Sequence, residues 1–324
     1  MNLQGGLSGG MNMDSGGDGR KRSRVPRTIT PQSTPAALTG LGPRFPLSAD
    51  ELTELVRSAL DEDGAADDLT TVATVRPSLH ARARLIARQR GVLAGVPLAV
   101  ETFRQLDSRV TIRIDSEDGT LLEQGSTVLF LTGHARALLT AERVALNFLQ
   151  RLSGIATLTQ LYVVAVAGTG ARIYDTRKTT PGWRKLERYA VRAGGGVNHR
   201  FDLASAVLIK DNHLAALDGD VDLAIRRARE LSPTGTLIEV ECDGREQVEA
   251  AIAAGADMVL LDNMPPAMLA GCVELARAAG VVTEASGGIT LDTVRAIAET
   301  GVERISVGAL THSSPALDLA LDFD

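Results

Sequence analysis

The sequence predicts an α/β protein in which a strand-rich N-terminal domain precedes a parallel sheet or (β/α) barrel. Beyond Gly170, six short runs rich in β-branched residues alternate with segments of helical length, which is typical of parallel sheets. Residues 71–135 hold strand patterns separated by Gly, Asp and Ser turns, which indicates a mostly antiparallel sheet. Polar residues end nearly every later strand and no GxGxxG follows the first, so a barrel is favoured over a doubly wound sheet.

Length and composition indicate a globular protein and argue against several classes. The chain has 324 residues, of which 44% are hydrophobic and 23% charged, enough to bury a sizeable core. No apolar run approaches the roughly 18 to 20 residues of a membrane span, and the first residues lack the apolar core of a secretory signal. We therefore expect a cytoplasmic protein with no membrane partner. Cys242 and Cys272 have neither CxxC spacing nor a histidine cluster beside them, which argues against disulfides and zinc.

Residues 1–44 differ from the rest of the chain and are predicted to be a disordered tail. They are rich in Gly, Ser, Pro and Thr and have almost no periodic apolar residues. The whole chain carries a net charge of −6, but the tail has six basic and two acidic side chains, which leaves about −10 on the remainder. Nucleic acid is therefore not an expected partner. The KRSR cluster is either a docking or targeting element or simply part of a solvated tail.

Capping and periodicity predict the elements of the N-terminal domain. Ser48 and Glu51 have the spacing of a capping box, and apolar residues follow at helical intervals, so a helix is expected over about 49–60. A second helix is expected over 98–105. Strands are predicted in TVATV, HARARLIARQ, VTIRID and STVLFLTG.

A long helical pattern connects this domain to the barrel. It covers 134–168, and Ser153-Gly154 is predicted to divide it into two helices. The segments between the later strands are of helical length, and several end in Gly, as the carboxyl ends of helices often do. The predicted barrel strands are ARIYD, SAVLIK, TLIEVE, DMVLLD, VVTEAS and RISVG.

The carboxyl ends of these strands hold the residues suited to chemistry. In a (β/α) barrel such positions converge on one mouth, where the active sites of this fold are built. Cations, two well-spaced carboxylates and two glycine turns come together there, which indicates a site for a multiply anionic small molecule. The strand-end residues are Asp175, Arg177, Lys178, Lys210, Asp211, Asn212, Glu241, Asp262, Asn263, Glu284, Ser286, Gly287, Gly288, Gly308 and Ala309.

The two carboxylates and the two glycine turns each have a structural alternative. Glu241 and Asp262 close apolar strands, where a carboxylate is costly without a partner, so they either pair with a lysine such as Lys210 or hold Mg²⁺. Mg²⁺ is favoured because it commonly takes one or two protein carboxylates plus phosphate oxygens. The turns SGG and VGA either only reverse the chain or bind phosphate through backbone N–H groups, and their place after the last two strands favours phosphate.

Other positive residues are interpreted from their local pattern. Arg143 has the spacing of an ordinary helix-surface arginine paired with a nearby acid. His199 is either a satisfied core histidine or a functional residue, and its loop position just after three glycines favours function. A cationic helical face is predicted to be solvated and to have no catalytic role; its members are Arg184, Lys185, Arg188 and Arg192.

Several motifs occur together in one order: TRKTTPGWRKLERYAVRAGGGVNHR, LIKDNH, EVECDG, LLDN, EASGGI and GVERISVGALTHS. They resemble the quinolinate phosphoribosyltransferase family, and the resemblance covers about residues 47–324. It implies an α/β sandwich over 45–154, which the segment 312–324 could join, and an open or incomplete (β/α) barrel with parallel strands over 155–311. It also implies a homodimer with shared active sites. Cys242 and Trp183 depart from the expected pattern without removing a charged group.

The resemblance also implies a reaction. The family joins quinolinate to phosphoribosyl pyrophosphate, releases pyrophosphate and carbon dioxide, and forms nicotinate mononucleotide for NAD synthesis. Glu241 and Asp262 would hold the cofactor Mg²⁺ and, with Lys178 and Lys210, would be the catalytic residues. The residues implied around the quinolinate carboxylates are Arg177, His199, Arg200 and Lys210, with Arg143 from the other subunit. Those implied around the 5′-phosphate are Ser286, Gly287, Gly288, Gly308 and Ala309, with Lys178 and Lys210 also placed for phosphate groups.

Two alternatives stay open. One is a related phosphoribosyltransferase that uses another acid, and the other is a phosphate or nucleotide sensor without catalysis. The set of five cations favours quinolinate, because a sensor or a less anionic substrate has no need of all of them.

Overall fold

The computed structural model describes residues 27–29 and residues 44–324. Within the tail that the sequence predicts to be disordered, residues Arg27–Ile29 form a short strand, β1, and the rest of that prediction lies outside the described residues. Ser48 caps the first helix, α1 (Ala49–Glu62), and forms the predicted capping box with Glu51. A short 3₁₀ turn then leads to a helix α2 (Leu69–Thr74).

The helix α2 replaces one predicted strand. TVATV was expected to be extended because it is β-branched, but Asp68 accepts a hydrogen bond from the Thr71 backbone N–H at 2.9 Å and begins a helix there. Arg136 holds the end of that helix by donating to the carbonyls of Val72 and Val75. Local capping and tertiary contacts therefore outweigh the strand propensity of these residues.

An antiparallel sheet forms the core of the N-terminal region. Its strand order is β1-β4-β6-β2-β13, so the last strand of the chain lies at the sheet edge beside β2. Buried side chains of the sheet, such as Leu129, pack with Phe103 of helix α3 and Leu149 of helix α4. The elements are β2 (His80–Ala87), β3 (Gly91–Val92), α3 (Val96–Leu106), β4 (Thr111–Ile114), β5 (Leu121–Leu122), β6 (Thr127–His134), α4 (Ala135–Ala165) and β13 (Leu319–Phe323).

The helix α4 is continuous over 31 residues, so the predicted division at Ser153-Gly154 is wrong. Gly154 has a packing role: a Cβ there would lie 2.0 Å from the carbonyl oxygen of Pro315, so glycine lets the C-terminal segment approach the helix. Ser153 is buried and bonds the backbone of Ala94. What was interpreted as a helix break is a contact between the helix and its neighbours.

Six parallel strands form the second sheet, in the order β7-β12-β11-β10-β9-β8. In the described residues β7 and β8 do not pair, so the barrel is open, as predicted. Val197 makes a parallel bridge with Tyr174 and extends the sheet into this opening. The strands are β7 (Arg172–Tyr174), β8 (Val207–Ile209), β9 (Ile238–Cys242), β10 (Met258–Asp262), β11 (Val282–Ser286) and β12 (Arg304–Ser306).

Helices cover the outside of this sheet. Buried residues on them, such as Val248 and Val273, pack against sheet residues such as Val259. No helix of the described segments is both long and apolar enough to cross a membrane. The helices are α5 (Arg184–Ala193), α6 (Asp211–Ala215), α7 (Val221–Leu231), α8 (Arg245–Ala253), α9 (Pro266–Ala278), α10 (Val294–Ala298) and α11 (Ala309–His312).

Candidate active site

A cavity of about 560 Å³ opens at the carboxyl ends of the parallel strands. Most of the residues that the sequence predicts for the site line it, although they come from five different strand ends and one loop. Arg143, Gly308 and Ala309 do not line it. The predicted residues on its wall are Arg177, Lys178, His199, Arg200, Lys210, Glu241, Asp262, Ser286, Gly287 and Gly288.

The cations of the cavity come from the loop after β7, the loop between α5 and β8, and the end of β8. Arg177 is half-buried, and its Nε atom is buried without a hydrogen-bond partner. A buried guanidinium nitrogen without an acceptor is unfavourable, so this arrangement is suited to an anion that enters the cavity. Thr311 donates to the carbonyl oxygen of Lys178 at 2.8 Å and holds its backbone, while the Lys178 side chain stays exposed.

The carboxylates Glu241 and Asp262 lie at neighbouring strand ends. Glu241 is opposite Leu260 in the register of β9 and β10, and Asp262 follows two residues later on the same face. The Glu241 carboxylate pairs with the ammonium group of Lys210, which is the structural alternative named above. Asp262 accepts a hydrogen bond from the Asn263 amide at 2.7 Å. Two half-buried oxygen donors beside an anion site fit Mg²⁺, which commonly completes its shell with water and phosphate.

The glycine turn after β11 is shaped by a close contact. Gly287 and Gly288 have φ values of 91° and 57°, which side chains rarely adopt. A Cβ on Gly287 would lie 2.4 Å from the Asn263 side chain, and Asn263 itself has a positive φ of 52°. Gly308 lies near the same region, because a Cβ there would be 3.1 Å from Lys178 Cδ. The turn at Gly308 therefore leaves backbone close to Lys178, whereas the turn after β11 packs against Asn263.

A buried network holds the loop that carries His199 and Arg200. Asp175 is fully buried and accepts hydrogen bonds from the His199 backbone N–H at 2.7 Å and from the Asn198 amide at 2.6 Å. Its carboxylate also pairs with Arg188 at 3.3 Å. Burial raises the pKa of Asp175 and lowers that of Arg188, while their mutual attraction opposes both shifts.

Arg188 is a residue that the sequence interpretation misplaced. It was assigned to a solvated face, but it is 6% exposed and donates to the carbonyl oxygens of His199 and Arg200 at 2.5 and 3.1 Å. The other three cations of that helix, Arg184, Lys185 and Arg192, are more exposed than Arg188. The signal in the sequence was Asp175, since a carboxylate closing an apolar strand needs a buried cation nearby.

His199 enters the barrel interior and meets two glutamates. Its Nε2 lies 3.2 Å from Glu284 Oε1 and 3.4 Å from Glu239 Oε2, and both carboxylates are buried. The sequence interpretation assigned no role to Glu239. A signal was present in EVE, because residues two apart on a strand face the same side and Glu241 faces the mouth.

The protonation of His199 is subject to opposing influences. Burial disfavours its charged form, but hydrogen bonds with Glu239 and Glu284 outweigh burial and raise the pKa of the ring to about 10. The Arg200 backbone N–H, however, points at Nδ1 from 2.7 Å, which requires a lone pair on that atom. The raised pKa favours a ring that is protonated at both nitrogens, but a protonated Nδ1 could not accept this hydrogen bond. Because the adjacent backbone fixes the contact, we assign the neutral ring, with its proton on Nε2 facing the glutamates.

Arg143 lies on the outer surface of α4, away from the cavity of its own chain. It is exposed and has no hydrogen-bond or ion-pair partner among the described residues. Its guanidinium is therefore available to another molecule, and its predicted place in a partner's site stays a prediction.

The sequence matches two family descriptions that together span most of the chain. Residues 68–153 match the N-terminal domain of quinolinate phosphoribosyl transferase, and residues 155–322 match its C-terminal domain. The second match alone covers more than half of the chain.

Named relatives have similar sequences and folds. The chain is 44% identical to the probable carboxylating nicotinate-nucleotide pyrophosphorylase of Bacillus subtilis, covering 84% of this chain and 93% of that one. It is 45% identical to the carboxylating nicotinate-nucleotide pyrophosphorylase of Mycobacterium leprae, covering 84% and 97%. The structure of the nicotinate-nucleotide pyrophosphorylase from Francisella tularensis superposes with a TM-score of 0.80 at 37% identity, covering 87% and 100%.

Proposed function

The chain belongs to the quinolinate phosphoribosyltransferase family, and we propose that it transfers a phosphoribosyl group from phosphoribosyl pyrophosphate to quinolinate with loss of carbon dioxide. The product is nicotinate mononucleotide, an intermediate of NAD synthesis. The observation that carries the proposal is the family match together with a cation-rich cavity that includes the unpartnered Nε of Arg177. The cytoplasmic location stays a prediction.

Quinolinate is a dianion, and the cations on one side of the cavity suit it. Arg177 and Arg200 offer planar guanidinium groups, which match carboxylates in two-point contacts. Lys210 adds a compact charge beside them. Burial lowers the pKa of Arg200, and the nearby charge of Arg177 lowers it further, so a bound dianion would relieve the repulsion between these two groups.

Phosphoribosyl pyrophosphate would lie on the opposite side of the cavity. The turn at Ser286, Gly287 and Gly288, with Gly308 and Ala309 beyond it, would receive the 5′-phosphate, and Lys178 would balance charge on the pyrophosphate. Glu241 and Asp262 would hold Mg²⁺, which neutralises pyrophosphate charge when bound. The Lys210 ammonium that now neutralises Glu241 would then be free to contact the substrates.

The reaction needs positioning and charge balance more than a covalent nucleophile. The pyridine nitrogen forms a bond to the anomeric carbon while the bond to pyrophosphate breaks, and positive charge develops on the ribose. Glu241 and Asp262 would stabilise that charge. The carbon–carbon bond to the adjacent carboxylate then breaks, its electron pair stays on the ring carbon beside the cationic nitrogen, and a proton replaces the carbon dioxide.

The proposal is tested by measuring carbon dioxide and nicotinate mononucleotide with purified protein. We expect both products in equal amounts from quinolinate, phosphoribosyl pyrophosphate and Mg²⁺, and none after chelation with EDTA until Mg²⁺ is restored. Turnover with nicotinate but not with quinolinate would contradict the proposal.

We further propose a homodimer in which Arg143 enters the site of the partner subunit. Its support is that Arg143 is exposed and unpaired within the described part of its own chain. Arg143→Ala and Lys210→Ala chains should each be inactive, whereas mixed dimers should regain part of the activity because one of their two sites is intact. Verified heterodimers that stay inactive would argue against shared sites.

A further inference from the structure

We propose that Glu239 and Glu284 are positioning residues, which hold His199 and through it Arg200 in the orientation that binds the substrate carboxylates. The inference rests on the proposed function and extends it. Neither glutamate was among the residues predicted to contact substrate. Glu284 lines the cavity, and Glu239 is buried beside it at His199.

The first support is the geometry of His199, whose ring is held at both nitrogens. Nε2 faces Glu284 and Glu239 at 3.2 and 3.4 Å, and Nδ1 faces the backbone N–H of Arg200 at 2.7 Å. A ring with partners on both sides cannot rotate without losing one of them. The side chain therefore fixes the peptide that begins Arg200.

The second support is the cost of the arrangement. Glu284 is fully buried and Glu239 is 4% exposed, and each keeps one carboxylate oxygen, Oε2 and Oε1 respectively, with no hydrogen-bond partner. Burying a carboxylate oxygen without a partner is unfavourable, and apolar side chains in such places are often at least as stable as buried ion pairs. Two carboxylates at this position therefore fit a role in orienting His199 better than a role in stability.

The third support is where the loop lies. Val197 bridges Tyr174 at the β7 edge, and Arg200 donates to the carbonyl oxygen of Ala206 at 2.8 Å, just before β8. The loop thus crosses the opening of the barrel. His199 is the side chain that ties it to β9 and β11, because Glu239 and Glu284 belong to those strands.

The consequence concerns the two substrates unequally. If His199 loses its partners, its ring no longer fixes the Arg200 backbone N–H, and Arg188 is left to hold this peptide through its carbonyl oxygens. The Arg200 guanidinium should then face the quinolinate carboxylates in a less defined orientation. The glycine turn and Lys178 do not depend on this contact, so binding of phosphoribosyl pyrophosphate should be preserved.

The test compares isosteric variants in the full-length protein. Glu284→Gln and Glu239→Gln each remove a charge without changing shape, and Glu303→Gln is the control, since Glu303 bonds the Thr283 backbone N–H at the opposite end of the sheet. We expect KM for quinolinate to rise about tenfold or more in the two variants, as for the loss of a charged hydrogen bond. KM for phosphoribosyl pyrophosphate, and both constants in the control, should change by less than about twofold.

A spectroscopic readout keeps the inference separate from the proposed function. In ¹⁵N-labelled protein without substrates, the Nε2–H proton of His199 should give a slowly exchanging signal, assigned by its absence in His199→Gln. We expect faster exchange in Glu284→Gln and Glu239→Gln, and if one variant does not fold, the other decides. Unchanged exchange together with an unchanged KM for quinolinate would overturn the inference, whereas a wild-type protein inactive on quinolinate would overturn only the proposed function.

Discussion

Two histidine-centred clusters, one in each half of the molecule, satisfy their charges differently. In the antiparallel region, Asp107 accepts from His134 at 2.7 Å and from Arg109 at 3.0 Å, and its carboxylate oxygens are both bonded. In the barrel, His199 meets two glutamates that each keep a free buried oxygen. The first cluster is complete within the chain, whereas the second keeps groups that the fold alone does not satisfy.

The same contrast holds beyond these clusters. The buried side-chain atoms without a partner, among the residues described, are Arg177 Nε, Glu239 Oε1 and Glu284 Oε2, and all three lie at or below the barrel cavity. Native interiors pair nearly all such atoms. Because these atoms are concentrated at the cavity, we infer that this part of the molecule is arranged for binding as well as for stability.

Breaking the charge pair behind the site should give the largest change in stability. Arg188→Met leaves Asp175 buried without its cation, which should lower the free energy of unfolding by about 3–5 kcal/mol. Urea denaturation measures this change. Lys185→Met on the same helix should cost less than about 1 kcal/mol, because that lysine is exposed and pairs with Glu51 at the surface. Equal losses in both variants would erase the distinction between buried support and helix surface.

Removing a mouth cation should affect activity with little effect on stability. Arg177→Ala should lower kcat/KM for quinolinate by about 10²- to 10³-fold, the effect of losing two charged hydrogen bonds. Its melting temperature should not fall, since the buried Nε loses no partner. Steady-state kinetics and thermal melting decide this, with exposed Arg245→Ala as the control. A stability loss in Arg177→Ala as large as that in Arg188→Met would mean that both arginines serve the fold.

Two glycine variants distinguish the effect of backbone strain from the effect of a close contact. Gly287→Ala should lower stability by about 2 kcal/mol or more and raise KM for phosphoribosyl pyrophosphate, because its Cβ would lie 2.4 Å from the Asn263 side chain. Gly255→Ala is the matched control, since its φ is similar at 84° but no atom lies within 4 Å of its Cβ. It should show only the strain of a positive φ, about 1 kcal/mol, with unchanged kinetics. Identical behaviour of the two variants would argue against a contact role for Gly287.

The cluster around Asp107 and His134 should affect the stability of the fold and the pH dependence of that stability, but not catalysis. Burial opposes ionisation of Asp107, but hydrogen bonds from Arg109 and His134 prevail and lower its pKa from 3.8 to about 2. A lowered pKa stabilises the fold above the unfolded value, so this stabilisation should be present above about pH 4 and lost as pH falls towards 2. Asp107→Asn should remove this pH dependence and about 1–2 kcal/mol at neutral pH, with kinetics unchanged. Lost activity in this variant would show that the antiparallel cluster also serves the site.

Patterns of residue type predicted much of the fold. The six parallel strands follow from short β-branched runs, and α1 follows from the Ser48–Glu51 capping box. Two predictions were wrong because neighbours in space decided them. Gly154 does not end the helix but leaves room for the backbone of Pro315. Hydrogen bonds of Asp68 and Arg136 stabilise a helix in residues that favour strands.

The sequence predicted which residues line the candidate site, but not the buried residues that hold them in place. Arg177, Lys210, Glu241 and Asp262 come to one cavity because the carboxyl ends of parallel strands meet at one edge. Arg188 was misplaced because helical spacing cannot distinguish a solvated cation from one that turns towards a buried aspartate. Glu239 was missed because its importance depends on a loop from elsewhere in the chain.

By itself, the sequence determined the fold class and a site for a multiply anionic molecule, because alternating strands and helices and charged strand ends are local patterns. Its motifs, taken in order, identified the family and so implied the reaction. The tertiary structure alone decided which charges are paired, which are buried and which stay unsatisfied. Those properties depend on desolvation and on distances of a few ångströms between residues far apart in sequence, such as His199 and Glu284.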